Sequence, residues 1–258
     1  MPASAWAYRP FVSTDAAVAD PREVEIELGY FSLERTRREN AIATPSVVLN
    51  YGFARNMELV GEFRLEVSPE VEITDPGLSL KGVVKEGVLQ DKPGVSVAVE
   101  AGLLLPSSLP REHRVGFEAV GIVSGKLAPV TVHVNGGGGV NRDGHVFGSW
   151  GVVGELPLHS KLRLVGEVNG ETTQGERPNN SALLGLIWQP TSKNLFLDAG
   201  VRHGISHAAP DWQFTIGLTF GFSIPTVSRQ QSPSDEPMSE TRRPSPSGAS
   251  QGRQAAGP

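Results

Sequence analysis

The stretch Asp211–Pro225, DWQFTIGLTFGFSIP, decides the fold class. Apolar and mostly aromatic residues occupy every second position from Trp212 to Phe222, and the positions between them hold Gln, Thr and Gly. Successive side chains of a β-strand point to opposite faces, whereas a helix would mix these two sets on one face. The stretch therefore predicts a strand with one apolar face and one small, polar face.

The same alternation recurs along most of the chain. It is clearest in REVEIELGYFSL (22–33), NMELVGEFRLEV (56–67) and KLRLVGEVNGE (161–171), where charged and apolar residues take turns. No helix-length amphipathic segment is present, so consecutive strands are expected to pair as antiparallel hairpins. About twelve strands are predicted, near residues 22–33, 42–52, 56–67, 77–86, 94–105, 114–125, 129–136, 145–156, 160–170, 181–189, 194–203 and 211–224.

Composition excludes several classes of protein. The formal net charge is -5, and charges of both signs are spread along the 258 residues without a basic patch, which argues against a nucleic-acid partner. The chain has no cysteine, which excludes disulfides, thiolate metal sites and cysteine nucleophiles. No run of about 18 apolar residues occurs, so transmembrane helices are excluded.

The predicted connections alternate in character. The odd-numbered ones are long or polar, as in ERTRRENA (34–41) and PSSLPREH (106–113). The even-numbered ones are mostly tight, as in FARN (53–56) and KLAP (126–129), with GVLQDKP (87–93) as the exception. An even strand count with long loops on one rim and short turns on the other is typical of outer-membrane barrels.

Strand length and aromatic placement favour lipid on the apolar face. The predicted strands have about 10 to 12 residues, which suits a tilted strand that crosses a bilayer. The fold expected is all-β, an antiparallel up-and-down transmembrane β-barrel of about twelve strands in the cell outer membrane, in contact with its lipid. A soluble barrel or sandwich is the alternative. Candidates for the lipid-facing aromatic girdle are Tyr30, Trp150, Trp188, Trp212, Phe220 and Phe222.

The chain is expected to divide into three parts. Residues 1–21 form an N-terminal segment without the basic and apolar regions of a secretory signal peptide, so a signal has been trimmed or missed if the protein is exported. Residues 22–224 form the barrel. Residues 225–258, rich in Ser, Pro, Gln and charge, are expected to be a disordered tail.

Four segments carry a family resemblance: LNYGFARNMELVGEFRLE (49–66), LSLKGVVKEG (78–87), VAVEAGLLLPS (97–107), and VHVNGGGG with GSWGVVGELPLHSKLRLVGEVNGE (132–171). They resemble the transporter-like outer-membrane β-barrel family labelled as MetA-pathway phenol-degradation proteins, over roughly residues 23–222. LPSS (105–108) stands where that family has LPTG. The resemblance implies insertion by the outer-membrane assembly machinery, which would read Phe220 or Phe222 ahead of the tail.

The row of side chains that points into the barrel is expected to be polar and of mixed charge. Such a row forms either a narrow path for a small solute or a salt-bridge network that fills the lumen. The function expected is therefore a passive channel or transporter. The alternatives are a plugged structural or interaction barrel and, less favoured, a soluble all-β ligand-binding protein. Candidate lumen residues are Glu58, Glu62, Arg64, Glu66, Lys81, Lys85, Glu100, Glu118, His133, Asn135, Glu155, Lys161, Arg163, Glu167, Asp198 and Arg202.

The remaining motifs predict no catalytic, metal or cofactor site. NGGGGVNRDG (135–144) lacks the lysine and following helix of a phosphate loop, and is expected to be a strand end and external loop. His203 and His207 flank GIS in a loop beside Pro210, which is a poor metal site. Ser149 and His133 lack an orienting partner, so no enzyme is expected.

Overall fold

The computed structural model describes residues 10–36, 40–190 and 194–225. These residues form a closed antiparallel barrel in which each strand pairs with its sequence neighbours and the first strand pairs with the last. The predicted fold class is confirmed. The twelve strands are β1 (Glu23–Arg35), β2 (Asn40–Ala54), β3 (Met57–Ser68), β4 (Glu72–Lys85), β5 (Ser96–Leu104), β6 (Gly116–Leu127), β7 (Val130–Val140), β8 (Val146–His159), β9 (Leu162–Thr173), β10 (Asn179–Trp188), β11 (Leu195–Gly204) and β12 (Trp212–Ser223).

The chain divides into two units, Met1–Ile224 and Pro225–Pro258. The barrel belongs to the first unit. The predicted disordered tail lies outside the described residues except for Pro225, as do residues 1–9. Within the described ranges, no helix is long and apolar enough to cross a bilayer.

The two ends of the barrel differ in connection length, though less than the sequence predicted, because the β3–β4 connection, expected at 68–76, has only three residues, 69–71. We call the end with the connections after β1, β3, β5, β7, β9 and β11 the loop rim, and the opposite end the turn rim. At the turn rim, β2 and β3 are joined by two residues, 55–56, as are β6 and β7 by 128–129. Two connections at this end are longer: the β10–β11 connection has six residues, 189–194, and the β4–β5 connection contains a short 3-10 helix, Val88–Gln90.

The barrel is apolar outside and polar inside. On β7, Val134 faces outward and is 47% exposed, whereas its neighbours His133 and Asn135 face inward and are 1% and 7% exposed. The other strands repeat this pattern, because a pleat sends alternate side chains to opposite faces. A row of exposed apolar side chains around a closed barrel is the arrangement that a bilayer stabilises.

Aromatic side chains of the outward face lie toward both rims. Trp212 begins β12 at the loop rim, whereas Trp188 ends β10 and Phe222 nears the end of β12 at the turn rim. Trp150 lies in the loop-rim half of β8, and the rings of Phe220 and Phe222 stack with centroids 6.4 Å apart.

One predicted girdle residue, Tyr30, has its side chain outside the described part of the structure. The backbone there carries a β-bulge, because the pairing of β1 with β12 shifts register between Gly29 and Phe31. Gly29 pairs with Gly217, and Phe31 pairs with the adjacent Ile216.

The glycine run of β7 corrects a prediction. Gly137–Gly139 were expected beyond the strand predicted at 129–136, in an external loop, yet they lie inside β7 and pair with both β6 and β8. A Cβ at Gly137 or Gly139 would collide with backbone carbonyls of β6, and one at Gly138 with β8. The strand continues through the glycines because only they permit so close an approach.

Candidate functional site in the barrel lumen

The lumen contains a cavity of about 960 Å³ that extends to the loop rim. Strand residues of the inward rows line it, and Phe11–Ala19 of the N-terminal segment contribute to its lining. Thirteen acidic and four basic side chains line it, so the cavity is strongly acidic. The acidic residues are Asp15, Glu25, Glu27, Glu34, Glu58, Glu62, Asp75, Glu100, Glu112, Glu118, Asp143, Glu171 and Glu176, and the basic residues are Arg64, Lys81, Arg142 and Arg202.

The structure places the candidate lumen residues in three settings. Lys161 lies exposed in the turn between β8 and β9, and Glu66 and Lys85 lie near the ends of β3 and β4. A second set is buried on the inner side of the wall and does not line the cavity: His133, Glu155, Arg163, Glu167 and Asp198. The third set lines the cavity: Glu58, Glu62, Arg64, Lys81, Glu100, Glu118, Asn135 and Arg202.

The feature that organises the lumen is the N-terminal segment Pro10–Asp20, which we call the internal belt. It follows the inner wall from β11 and β10 round to β2, where the chain turns into β1. Wall residues that contact it are Gly185, Gly200, Glu167, Gly151, Asn135, Lys81, Ser124, Glu58 and Gly52.

Glu167 of β9 binds the start of the belt. Its carboxylate accepts hydrogen bonds from the backbone N–H of Val12 at 3.2 Å and of Ser13 at 2.8 Å. Its Oε2 also accepts a hydrogen bond from Arg202 Nη2 at 2.6 Å. Arg202 donates in addition to Asn169 and to the hydroxyl of Ser181. The buried carboxylate therefore has a cation beside it, as a buried charge requires.

Asn135 of β7 binds the backbone of Thr14, in the belt, both as acceptor and as donor. Its Oδ1 accepts the N–H of Thr14 at 2.9 Å, and its Nδ2 donates to the Thr14 carbonyl at 2.7 Å. The Thr14 hydroxyl accepts a hydrogen bond from Lys81 Nζ at 3.1 Å. One amide side chain thus substitutes for a strand partner.

Lys81 of β4 lies between two carboxylates. Its Nζ is 3.4 Å from Glu58 Oε1 and 3.8 Å from Asp15 Oδ1. Glu58 Oε2 accepts the backbone N–H of Ala19 at 2.7 Å. Burial raises the pKa of the Asp15 carboxyl to about 6, and the Lys81 ammonium opposes this rise.

Ser124, His133 and Glu155 form a buried chain behind the belt. The Ser124 hydroxyl accepts the N–H of Ala16 at 3.0 Å and contacts His133 Nδ1 at 2.8 Å. His133 Nε2 is 3.5 Å from Glu155, which pairs with Arg163 at 2.7 Å. Ser, His and Glu also make hydrolytic triads, but here Ala16 covers a hydroxyl that is fully buried. These hydrogen-bonded side chains position the belt.

Two small apolar clusters interrupt the polar lumen where the belt passes. Phe11 packs against Val165, Ile187 and Phe196. Further along, Ala16 packs in a buried cluster with Leu89, Ala98 and Ile122, in which Leu89 comes from the 3-10 helix at the turn rim.

The long turn-rim connection therefore folds onto the belt. Gln90 Nε2 donates to the Ala16 carbonyl at 2.8 Å, and Leu89 N–H donates to Ser96 Oγ at 3.0 Å. This explains why GVLQDKP departs from the short turns of its rim.

Inward-facing glycines make room for the belt. Pro10 packs where side chains on Gly185 and Gly200 would stand, and Ser13 lies over Gly151. A Cβ at Gly52 would collide with the carbonyl oxygens of Ala19 and Asp20. The wall is thus shaped to the belt at four places.

At the loop rim, Arg142 of the β7–β8 connection joins the β5–β6 connection to the loop-rim part of β4. Its Nε donates to the Leu105 carbonyl at 2.7 Å and its Nη2 to the Pro76 carbonyl at 3.0 Å. Its Nη1 lies 3.6 Å from Asp75 and 3.7 Å from Glu112. Arg142 therefore fixes the wall of the cavity near its mouth.

No group of three or more His, Asp or Glu side chains in the described residues is arranged to hold a metal ion. His203 instead packs against Trp212, with ring centroids 4.3 Å apart and the ring planes tilted by 35°, and contacts the Asp211 carbonyl through Nδ1.

Comparison with known proteins identifies the fold. No family model matches the chain, and no curated protein matches it. An outer-membrane channel from Pseudomonas putida F1 is similar, with a TM-score of 0.57, 10% identity, and coverage of 80% of this chain and 97% of that one. The NanC porin gives a TM-score of 0.57 at 8% identity, over 76% and 98% of the two chains. A KdgM porin in complex with disordered oligogalacturonate gives 0.57 at 9%, over 78% and 99%.

These neighbours are channels and porins of the outer membrane, and the twelve-stranded barrel fits the same location. At such low identity the likeness establishes the fold alone. The MetA-pathway family name is not confirmed.

The sequence patterns did not reveal the belt. Two kinds of departure from strand alternation point to it. Glycines occupy inward positions at Gly52, Gly151, Gly185 and Gly200, and apolar residues occupy inward positions at Val165 and Ile187. Both departures mark where another chain segment packs against the wall.

Proposed function

We propose that this protein is an outer-membrane channel that passes a small polar solute and prefers cations to anions. The observation that carries the proposal is the charge of the cavity, where thirteen acidic side chains face four basic ones. Charge of one sign in a cleft with low-dielectric walls concentrates ions of the opposite sign. A cation therefore gains free energy on entering the cavity, and an anion loses it.

The comparisons support a channel and give no solute. One neighbour is a porin in complex with oligogalacturonate, which is a polyanion. The acidic cavity of this chain would repel such a solute, so the shared barrel does not imply a shared cargo.

The quoted sequence segments support membership of the transporter-like MetA-pathway family, and we include that assignment in the proposal. From this family membership we expect that the barrel contacts outer-membrane lipid and is inserted by the assembly machinery through Phe220 or Phe222. We also expect that it transports its solute without enzymatic chemistry. The hydrogen-bonded side chains of Ser124, His133 and Glu155 support the absence of enzymatic chemistry, because Ala16 covers the Ser124 hydroxyl.

The test is the ion preference of the purified barrel in a planar bilayer under a KCl gradient. The reversal potential should show cation preference, and Glu62→Gln should reduce it, because Glu62 lines the cavity and its side chain is exposed there. Glu70→Gln is the matched control, since Glu70 is exposed between β3 and β4 and does not line the cavity. Anion preference, or equal effects of the two substitutions, would contradict the proposal.

The internal belt favours a second candidate, an occluded barrel whose loops or tail bind a partner. The belt and the 3-10 helix fill part of the lumen near the turn rim. A folded barrel that conducts neither with the belt nor without it would support this second function.

A further inference from the structure

We propose that the solute of this channel is a short aliphatic diamine, a row of methylene groups with an ammonium group at each end. This inference rests on the proposed channel function and names its substrate class. A deeper group of carboxylates in the lumen binds one ammonium group, and an outer group nearer the loop rim binds the other. Apolar side chains between the two groups contact the methylene groups.

Glu25 of β1 marks a cation-binding position in the deeper group. Its side chain is only 6% exposed and lines the cavity. Among the described residues, none donates a hydrogen bond to its carboxylate or forms an ion pair with it. Its charged neighbours are all acidic: Asp15, Glu23, Glu27 and Glu58. Because a buried carboxylate needs a cation or hydrogen-bond donors beside it, an ammonium group of the solute fits here.

The outer group consists of Glu62 of β3, Glu100 of β5 and Glu118 of β6, which share a recess of about 50 Å³ in the wall. Glu62 lies over Gly77, where a Cβ would be 2.8 Å from its Oε1. Glu100 accepts a hydrogen bond from Ser79 Oγ at 2.5 Å. A recess needs about 10–15 Å³ to admit a water molecule, so this one has room for an ammonium group.

The cations of the wall compensate only part of this charge. Lys81 Nζ lies 3.4 Å from Glu58 Oε1 and 3.8 Å from Asp15 Oδ1. With Glu25, three carboxylates of the deeper group thus share one ammonium group. Arg142, near the outer group, binds two other carboxylates at the loop rim. Both groups therefore keep a net negative charge that a dication can balance.

Valine side chains separate the two groups. Val60 lies between Glu58 and Glu62 in the inward row of β3, and Val48 of the neighbouring strand also lines the cavity. Methylene groups that contact these valines leave water, which stabilises the bound solute. An inorganic cation of the same charge gains nothing from them.

The spacing of the two groups sets the length of the solute. Glu58 and Glu62 are four residues apart in one strand, so their Cα atoms lie about 13 Å apart at about 3.3 Å per residue. Ammonium groups bind carboxylate oxygens at about 2.7–2.9 Å, so two of them about 7–13 Å apart can bind both groups at once. An extended 1,6-diaminohexane meets this requirement, and 1,2-diaminoethane is too short.

The experiment measures the concentration of each probe that halves the K⁺ current through the full-length barrel in a planar bilayer. Hexylamine carries the same chain with one charge, and Mg²⁺ carries two charges without a chain. The half-blocking concentration of 1,6-diaminohexane should be at least tenfold lower than that of hexylamine, Mg²⁺ or 1,2-diaminoethane. Equal potency of the four probes in a cation-preferring barrel would overturn the diamine and leave the channel intact. An anion-preferring or non-conducting barrel would overturn the channel, and the diamine with it.

Substitutions test the two groups separately. Glu25→Gln and Glu62→Gln each remove one binding partner, so each should reduce the potency of the diamine to that of hexylamine. Glu70→Gln, outside the cavity, is the control and should leave the potency unchanged. Folding of each variant is verified by its mobility shift on boiling in SDS. A folded Glu25→Gln barrel that binds the diamine as before would overturn the proposal.

Passage is tested by uptake of radiolabelled 1,6-diaminohexane into proteoliposomes. Uptake should exceed that of radiolabelled hexylamine at low concentration and should fall severalfold in both variants. Block of the K⁺ current without uptake would show that the diamine binds but is not the solute.

Discussion

The carboxylate of Glu167 accepts the backbone N–H of Ser13 at 2.8 Å, although 154 residues separate the two in the chain. The same carboxylate binds Arg202 at 2.6 Å. One side chain thus joins the internal belt to two strands of the wall. The stability of the wall and the position of the belt are coupled at this residue.

Glu167→Gln should destabilise the barrel by about 3 kcal/mol, because removal of one partner of a buried ion pair leaves the other charge uncompensated. The remaining charge is that of Arg202, which is buried beside it. Urea unfolding in lipid vesicles measures the change. Glu171→Gln is the control, since Glu171 lies exposed on the same face of β9. Equal destabilisation by both substitutions would contradict the coupling.

Gly52→Ala should loosen the belt without opening the barrel. The new methyl group would meet the carbonyl oxygens of Ala19 and Asp20, so the backbone of the belt must move. Overpacking of this kind costs about 1–3 kcal/mol. Limited proteolysis ahead of β1 should become faster. Gly61→Ala is the matched control, because a Cβ at Gly61 meets no atom within 4 Å. Faster cleavage in the control would refute the steric explanation.

Acidification should strengthen the seating of the belt through Asp15. The pKa of Asp15 rises from 3.8 to about 6 on burial, so the seated state binds the proton more tightly than a withdrawn, hydrated one. The gain reaches about 3 kcal/mol below pH 4. It is lost as the pH rises through about 6. The mobility of a spin label at Val12→Cys, which is selective because the chain has no cysteine of its own, should therefore fall as the pH is lowered from 7 to 4.

Asp15→Asn separates this effect from the titration of other groups. The charged and titratable side chains that surround Asp15 are Lys81 on β4, Glu58 on β3, Glu25 on β1, His133 on β7 and Glu155 on β8. The asparagine variant keeps all of them and should lose the change in spin-label mobility between pH 6 and 4. An unchanged pH profile would exclude Asp15 as its source.

Arginine on the outward face should destabilise the barrel according to depth. Leu184 lies near the middle of β10 and is 62% exposed, whereas Leu158 lies at the turn-rim end of β8 and is 53% exposed. In a bilayer, Leu184→Arg should cost about 2–4 kcal/mol and Leu158→Arg about 0–1. Unfolding in vesicles measures both. Equal costs would mean that water and not lipid surrounds the apolar face.

The strands were predictable because their information is local. Period-two alternation such as that of Trp212–Phe222 places all twelve strands, since lipid outside and polar groups inside impose it along the whole wall. The largest errors are at the start of β4, which begins at Glu72 and not at 77, and at the end of β7, where four glycines carry no alternation. The belt was not predictable, because Pro10–Asp20 has no periodicity and its partners, such as Glu167 and Glu58, lie far along the chain.

The glycine run of β7 makes the wall uneven in stiffness. Between Gly136 and Gly139 the barrel is held by backbone hydrogen bonds to β6 and β8, without side chains of its own on either face. Each glycine also gains about 0.5–1 kcal/mol of conformational freedom, relative to alanine, when the strand opens. Fluctuations of the sheet should concentrate in this sector. Amide protons here should exchange with deuterium sooner than those of β9, because the closed sheet opens locally most readily at β7.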